Sequence, residues 1–242
     1  MNTYARSLCA IAALTAAVAE VKADTVDVQF KAFGAGQSVR VTAAGQTHYL
    51  FAGQLRNQMI NGTGAGAGLA GEVITYLADV NQRPTTDTIN FRVTPPEDVL
   101  TPAIGSFKAE ALRELYTFAD GRERASDVDS SFAAAFQLAV WEIVYDFDSE
   151  SGGGSLDIDT GNFTAQARKG APLSGAIRKQ LAGFFNAALS MGPTTSTLYG
   201  LFNESAPDQL VFDQVMQAVP MPGAGVLGLA GLGAIASRRR RR

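Results

Sequence analysis

Four acidic residues in one short segment have the spacing of a calcium-binding loop. Asp146, Asp148 and Glu150 occupy positions 1, 3 and 5 of this segment, and Asp157 occupies position 12. In an EF-hand loop, alternate oxygen ligands at these positions converge on one hard cation. Position 6 is Ser151, where the loop requires glycine, and an aspartate at position 12 is short for bidentate coordination. Calcium is one interpretation, and a solvated acidic loop without metal is the interpretation that we favour.

Other residues capable of chemistry lack the partners that they would need. His48 is the only histidine, and without a GxSxG serine it can complete neither a hydrolytic triad nor a zinc site. Glu142 and Asp146 are one helical turn apart and could exchange protons, but nothing identifies a substrate, so we expect a structural hydrogen bond for Glu142. Residues 66–71, GAGLAG, match GxGxxG without a surrounding βαβ unit, which favours a flexible loop over a dinucleotide site.

Gln137 is a polar residue in the most apolar helical segment of the chain. The segment Ser131–Tyr145, SFAAAFQLAVWEIVY, carries apolar residues on more than one face, which predicts a helix that is buried on most sides. A buried amide must find hydrogen-bond partners. We therefore expect Gln137 to bond to neighbouring backbone.

The periodicity of apolar residues predicts the elements that position these side chains. The predicted strands are 25–33, 38–42, 47–51, 87–93, 198–202 and 209–215, and the predicted helices are 72–80, 106–118, 131–145 and 174–190. The first strands are joined by connections too short for parallel crossovers, so they are expected to be antiparallel. The fold class is therefore α+β, a β-rich antiparallel sheet or sandwich with three to four inserted helices.

The C-terminal segment has three parts in a fixed order. A proline-rich turn is followed by an uncharged run over 223–237 and then by five arginines. The turn residues are Val219, Pro220, Met221, Pro222 and Gly223, and the basic cluster is Arg238, Arg239, Arg240, Arg241 and Arg242. The run is shorter than the roughly 20 residues of a stable membrane span, but terminal arginines would remain on the cytoplasmic side and could reach the interface. A flexible tail with a basic, nucleic-acid-binding end is the alternative.

This order resembles a PEP-CTERM sorting tail. The resemblance implies recognition by an exosortase, a membrane transpeptidase of the bacterial envelope, and removal of the tail. Met221 stands where the name-giving motif of the family has glutamate, which leaves the subtype of the processing enzyme open.

The first 23 residues have the pattern of a secretory signal peptide. Arg6 precedes an apolar stretch over 8–19, and small-x-small sites at 17–19 and 21–23 allow cleavage before Glu20 or Asp24. A buried N-terminal helix is the alternative. Cleavage would remove Cys9, the only cysteine, so the mature chain could form no disulfide, thiolate nucleophile or cysteine metal site.

The charge of the mature chain argues against nucleic acid as a partner. The whole sequence carries a formal charge of −3, and removal of a leader with net charge +1 and of five arginines leaves −9. Phosphate binding requires a basic face. An acidic exported domain is compatible with cations or simply with solubility.

Residues 136–146, FQLAVWEIVYD, resemble the glutamine-bearing motif of bacterial thioester domains, particularly those of PEP-CTERM proteins. Residues 160–163, TGNF, and 208–210, DQL, fit the same domain in order, and the resemblance covers about 25–216. It implies a β-rich fold with inserted helices. In that family a cysteine thiol and a glutamine amide condense into an internal thioester, which acylates an amine or hydroxyl on a surface partner.

The resemblance places Gln137 at the glutamine position and Ala52 at the cysteine position. The family motif is of the Phe-Cys-x-Glu kind, and the best match is 51–54, FAGQ. Alanine has no sulfur, so the resemblance implies a degenerate thioester domain. In this interpretation Gln137 keeps a structural role and bonds to backbone near the strand that ends at Phe51.

These observations predict an exported, non-enzymatic protein of the bacterial cell envelope or extracellular matrix. Its parts would be a signal peptide over 1–23, a degenerate thioester-like domain over 24–216 and a sorting tail over 217–242. The expected partners are the Sec translocon and an exosortase during export, with transient anchoring in the inner membrane, and exopolysaccharide or other envelope components afterwards. The alternatives are a surface adhesin that still forms a thioester and a calcium-dependent matrix-binding module.

Overall fold

The structure is a computed structural model that describes residues 23–148, 150, 155–190, 192, 194 and 197–212. Its strands are β1 (Thr25–Ala43), β2 (Gln46–Thr63), β3 (Gly71–Leu77), β4 (Thr88–Thr94), β5 (Phe163–Ala167), β6 (Leu198–Phe202) and β7 (Gln209–Phe212). Its α-helices are α1 (Gly105–Ala119), α2 (Ser130–Tyr145) and α3 (Gly175–Ala188). The chain is therefore of the α+β class, with a β-rich antiparallel sheet and helices inserted between its strands.

The β1–β2 hairpin is the longest feature of the sheet. Its strands turn at Ala44 and Gly45, whose φ angles of 48° and 78° lie in the left-handed region that a two-residue hairpin loop of type I′ requires. The two strands pair from Ala43 and Gln46 at the turn to Thr25 and Thr63 at the far end. Both strands therefore extend well beyond the other strands of the sheet.

Six of the seven strands close into a ring. β1 pairs with β2, β2 with β3, β3 with β7, β7 with β6, β6 with β4, and β4 with the first residues of β1, always antiparallel. The turn half of the hairpin projects from this ring, and β5 pairs with β1 there over 39–43. All seven strands belong to one sheet, so the alternative of a two-sheet sandwich is wrong for the described residues.

Two apolar cores lie on different parts of this sheet. The first fills the ring with side chains from all six of its strands: Val26, Val28, Met59, Val73, Phe91, Val93, Leu201 and Val211. The second and larger core lies between the sheet and the three helices.

Asn57, Thr75 and Gln209 form a buried hydrogen-bonded triad on β2, β3 and β7, with distances of 2.6 to 2.8 Å. Their bonds to one another offset the cost of removing three polar side chains from water.

The helix α2 is at the centre of the larger core. Every residue from Phe132 to Val144 is buried, as the wide apolar surface of the sequence predicts. Asp129 caps the helix, because its carboxylate accepts hydrogen bonds from Ser131 N and Phe132 N. Ser130 and Ser131 therefore lie inside the first turn of the helix.

Three expectations about the strands need correction. Residues 72–80 do not form a helix, because Gly71–Leu77 is strand β3 with β-branched residues at Val73, Ile74 and Thr75. The predicted strands 25–33 and 38–42 are one continuous strand with irregular pairing near Gly36. β5 was not among the predicted strands.

The two ends of the chain carry several predictions that the structure does not describe. The signal peptide over 1–23, apart from Ala23, and the sorting tail, including Val219 to Gly223 and Arg238 to Arg242, lie outside the described residues. Among the helices of the described part, none is both long and apolar enough to span a bilayer.

Asp208 joins three loops at the edge of the ring. Its Oδ2 accepts a hydrogen bond from Leu100 N at 2.7 Å, and its Oδ1 accepts one from Asn203 N at 2.9 Å. Its backbone oxygen accepts from Ala78 N at 2.8 Å. Burial raises the pKa of Asp208, and the two backbone hydrogen bonds act against this rise. The carboxylate therefore satisfies backbone groups that would otherwise be unpaired in a largely buried place.

We expect Asp208→Ala to lower the free energy of unfolding by about 2–4 kcal/mol, because it leaves two backbone N–H groups without an acceptor. Urea unfolding measures this loss. Asp87→Ala, which removes an exposed carboxylate, is the control and should change stability by less than about 0.5 kcal/mol. Equal stability of the two variants would contradict the structural role of Asp208.

Candidate functional site

Gln137 bonds with both ends of its amide to one residue of the sheet. Its Oε1 accepts a hydrogen bond from Leu77 N at 2.9 Å, and its Nε2 donates one to Leu77 O at 2.8 Å. Gln137 is completely buried, and Leu77 is the last residue of β3. The amide thus continues the hydrogen-bonding pattern of the sheet and attaches α2 to it.

The partner of Gln137 differs from the expected one. The sequence places it near the strand ending at Phe51, whereas the observed partner is Leu77 on β3, and β2 continues without a break through Ala52 to Thr63. Ala52 is completely buried and pairs with Gln37 of β1. Its side chain offers only a methyl group, so no nucleophile is present at this position.

Gln54 ends the FAGQ segment, and the sequence predicted no role for it. Its Oε1 accepts from Ala35 N at 3.1 Å, and its Nε2 donates to Glu123 O and Ala125 O at 2.8 and 3.0 Å. These bonds attach the turn before α2 to the hairpin. The only signal in the sequence is its place two residues after Ala52, at the fourth position of the resembled motif.

A surface groove lies beside these residues, where the hairpin meets the end of β3. We call it the hairpin groove, and its volume is about 370 Å³. Its lining residues are Phe33, Ser38, Val39, Tyr49, Leu50, Phe51, Leu77, Gln82, Arg83, Pro84 and Arg168. Leu77 belongs to this lining, so Gln137 fixes one part of its wall from inside.

The lining combines exposed aromatic rings with cations. Phe33 and Tyr49 are 47% and 57% exposed, and the rings of Phe33 and Phe51 are 4.6 Å apart. Arg83 and Arg168 are exposed, and no carboxylate of the described residues is within ion-pair distance of either. The groove can therefore bind a ligand with an apolar surface and negative charge.

A second, polar cavity of about 620 Å³ lies near the end of α2 and includes Asp79, Lys108, Tyr145 and Asp208 in its lining. Tyr145 accepts a hydrogen bond from Val80 N and donates one to Asp79 Oδ1. Lys108 donates to the backbone oxygen of Val144 at 2.7 Å, and burial lowers its pKa while the charges of Asp146 and Asp148 raise it. These groups mainly hold loops in place.

The acidic residues of the calcium hypothesis make bonds within their own loop. Asp146 accepts from Asn162 Nδ2 and Phe163 N, both at 3.2 Å. Asp148 accepts from Glu150 N at 2.8 Å. Within the described residues no group of three or more histidine, cysteine or acidic side chains is arranged to hold a metal ion.

Asp157, the last of the four, accepts from Asp159 N at 3.0 Å and from Thr160 Oγ1 at 3.0 Å. Its backbone N–H donates to Glu142 Oε1 at 2.8 Å. This bond connects the end of the acidic segment to α2. Residues 149 and 151–154 of the segment lie outside the described residues, so the calcium interpretation stays a prediction.

Glu142 is a buried carboxyl group in α2. Its Oε2 has no hydrogen-bond partner in the described structure. Burial raises the pKa of Glu142 to about 8, the bond from Asp157 N acts against this rise, and the charges of Asp146 and Asp157 add to it. The side chain therefore holds a structural hydrogen bond, as expected, and is mostly protonated at neutral pH.

Two further candidates do not form sites. His48 pairs with Val41 in the hairpin, and its Nε2 is buried without a partner in the described residues. The GxGxxG segment lies in a short 3₁₀ turn over Gly64–Leu69 and leads into strand β3. A dinucleotide site requires a helix at this point, so the prediction of a loop holds, although the loop is regular in structure.

No protein-family model matches this chain, and neither the curated proteins nor the solved structures contain a significant match. The function must therefore be inferred from the sequence and the structure of this chain itself.

Replacement of Gln137 tests its attachment of α2 to β3. We expect Gln137→Leu to lower the free energy of unfolding by about 2–4 kcal/mol, since Leu77 would keep an unpaired buried N–H and C=O. Hydrogen exchange of the Leu77 amide should accelerate as well. Gln180→Leu, on the partly exposed side of α3, is the matched control, and an equal effect of both variants would contradict the prediction.

The raised pKa of Glu142 predicts a dependence of stability on pH. Above the ordinary pKa of 4.5 the unfolded chain releases a proton that the folded chain keeps, so stability should fall as pH rises from about 4.5 to about 8. Glu142→Gln removes this contribution. We expect the free energy of unfolding of Glu142→Gln, relative to that of the wild type, to increase by about 2–4 kcal/mol between pH 4.5 and pH 8.5. Chemical unfolding of both proteins at each pH measures this difference.

Glu150→Gln, an exposed substitution in the acidic loop, is the control for Glu142→Gln. It should follow the wild-type dependence on pH. A wild-type protein with the same pH dependence as Glu142→Gln would show that Glu142 ionises normally in the folded state.

Proposed function

We propose that this protein is an exported, non-enzymatic component of the bacterial cell envelope or matrix, with a domain that binds a ligand. The single observation that carries the proposal is the order of features in the sequence. A leader with an apolar stretch over 8–19, a folded domain, a Pro-Met-Pro turn at 220–222 and five terminal arginines follow one another. A sorted precursor requires this order.

The groove supports binding as the role of the domain. It has a volume of about 370 Å³, within the range of small-ligand sites, and exposes two aromatic rings and two arginines. Ser38 and Tyr49 are the only side chains in its lining that could serve as nucleophiles, and no histidine or carboxylate lines the groove to activate them. These residues suit recognition of a ligand better than catalysis.

The resemblance to thioester domains supports a non-enzymatic role, in which the domain keeps its scaffold without the reactive bond. Gln137 occupies the glutamine position and binds Leu77 through its whole amide. Ala52 occupies the cysteine position and is buried. A thioester needs sulfur, so a degenerate domain that keeps the scaffold and lacks the reactive bond agrees with both residues.

The tail can be tested by the mass of the mature protein. Expressed in an exosortase-containing host, the protein should lose both its leader and the segment that ends in Arg238–Arg242. In a matched host lacking exosortase it should keep the arginines. Intact-mass spectrometry of membrane and secreted fractions measures both products, and arginines retained in both hosts, or an unprocessed precursor in the cytosol, would contradict the proposal.

The same measurement addresses the thioester alternative. A thioester forms with loss of ammonia and adds the mass of methylamine when treated with it. We expect neither change. Either one would show that a side chain elsewhere in the chain supplies the nucleophile that condenses with Gln137.

A further inference from the structure

The outward face of the projecting half of the hairpin is both aromatic and basic. We call it the hairpin face. Residues paired across antiparallel strands share one side of a sheet, and Arg40 pairs with Tyr49 on β2 and with Gln166 on β5. Ser38 pairs with Phe51. The opposite side carries Val41 and Ala43 into the helix-covered core, and Val39 on that side also lines the hairpin groove.

The aromatic side chains form a shallow platform on this face. The ring of Phe33 contacts the ring of Phe51 at 4.6 Å and that of Phe30 at 5.0 Å. Tyr49 lies beside Arg40 and is the more exposed of the two accessible rings. Exposed aromatic rings grouped on one surface indicate a binding site better than scattered apolar residues do.

Four cations surround this platform. Arg83 and Arg168 line the groove, Lys169 follows Arg168 in an exposed turn, and Arg40 donates to Gln166 at 3.5 Å. None of the four is within ion-pair distance of a carboxylate of the described residues. This concentration is unusual in a chain with 23 acidic and 20 basic residues, and it attracts negative charge to one place.

No acidic side chain belongs to the groove lining. Arginine binds carboxylates through two parallel hydrogen bonds. Ser38 and Gln82 in the lining, with Gln166 on the face, can bond to hydroxyl groups. The site therefore offers exposed aromatic rings, hydroxyl partners and carboxylate partners on the groove and its adjoining face.

We propose that the hairpin groove and hairpin face bind an acidic polysaccharide built from hexuronate units. A pyranose ring presents an apolar face of C–H groups, which fits on Tyr49 and Phe33, and its carboxylate fits Arg83 and Arg168. This inference rests on the proposed function, since an exported domain meets such polymers outside the cell. An acidic peptide would also pair with the cations, but it would make fewer contacts with the aromatic rings and with the groups that bond to hydroxyls.

The experiment measures binding of polygalacturonate and of alginate to the full-length protein by isothermal titration calorimetry. We expect binding that weakens with rising salt and by at least about tenfold when the polygalacturonate carboxylates are methyl-esterified. Arg83→Gln and Arg168→Gln should each weaken binding about fivefold, and Tyr49→Ser about tenfold. Lys179→Gln, an exposed substitution on α3, is the matched control and should leave affinity unchanged.

Three outcomes would overturn the inference. One is no binding of either polymer by a protein with the wild-type melting temperature. Another is wild-type affinity in the folded double variant Arg83→Gln and Arg168→Gln, which would place the site elsewhere. The third is equal affinity for poly-L-glutamate, which would assign the site to an acidic protein partner.

The failure of this inference can be told apart from a failure of the proposed function. A protein that is exported and trimmed at its tail, but binds neither polymer, loses only the ligand assignment. A protein that binds uronate polymers through Arg83 and Arg168 but keeps its arginine tail in the cytosol loses the proposed function and keeps the binding site.

Discussion

One fully buried amide supplies two of the hydrogen bonds that attach α2 to the sheet. Gln137 is the only polar residue between Phe132 and Trp141 in a helix whose side chains are buried over that whole length, and both of its polar ends bond to Leu77. Apolar packing alone would allow the helix to slide or rotate, because hydrophobic contact has no direction. The two hydrogen bonds fix its register against β3, and so fix the wall of the groove that Leu77 helps to form.

Each segment that resembles the thioester domain carries a buried or loop-closing hydrogen bond in this structure. Gln137 bonds to Leu77, Asn162 and Phe163 bond to Asp146, and Gln209 belongs to the triad with Asn57 and Thr75. Buried polar groups of this kind specify one arrangement of the chain because any other leaves them unpaired. These residues therefore have a structural role in this fold that requires no reactive bond.

The sequence predicted the helices well and the sheet less well, for physical reasons. α1, α2 and α3 begin and end within about two residues of the expected positions, since their periodicity and their ends are local properties. Residues 72–80 have apolar spacing that suits either type of element, and only pairing with β2 and β7 makes Gly71–Leu77 a strand. The break expected between 33 and 38 is absent. Gly34 and Gly36 instead allow the two strands to come close, since a side chain at either position would collide with Gln54 or with the Ala52 backbone, a contact visible only in three dimensions.

The groove could not be predicted from the sequence for the same reason. Its lining comes from four segments near residues 33–39, 49–51, 77–84 and 168, none of which contains a motif. The acidic loop, by contrast, has a local pattern, and the carboxylates of Asp146, Asp148 and Asp157 accept hydrogen bonds from nearby backbone and side-chain groups. The spacing of acidic residues in the sequence shows which carboxylate oxygens could converge on a cation, whereas the fold determines which of them already accept hydrogen bonds.

The position of β7 determines when this fold can be completed. β7 is the last strand described in the chain, but it lies between β3 and β6, so neither neighbour has its full set of partners until residues 209–212 have arrived. A chain that has not yet added residues 209–212 to the sheet would therefore expose the inside of the ring, with Val73 and Leu201 in contact with water. Closure of the ring has to follow formation of β6, and a partly folded chain with this gap would present unpaired strand edges that are prone to association.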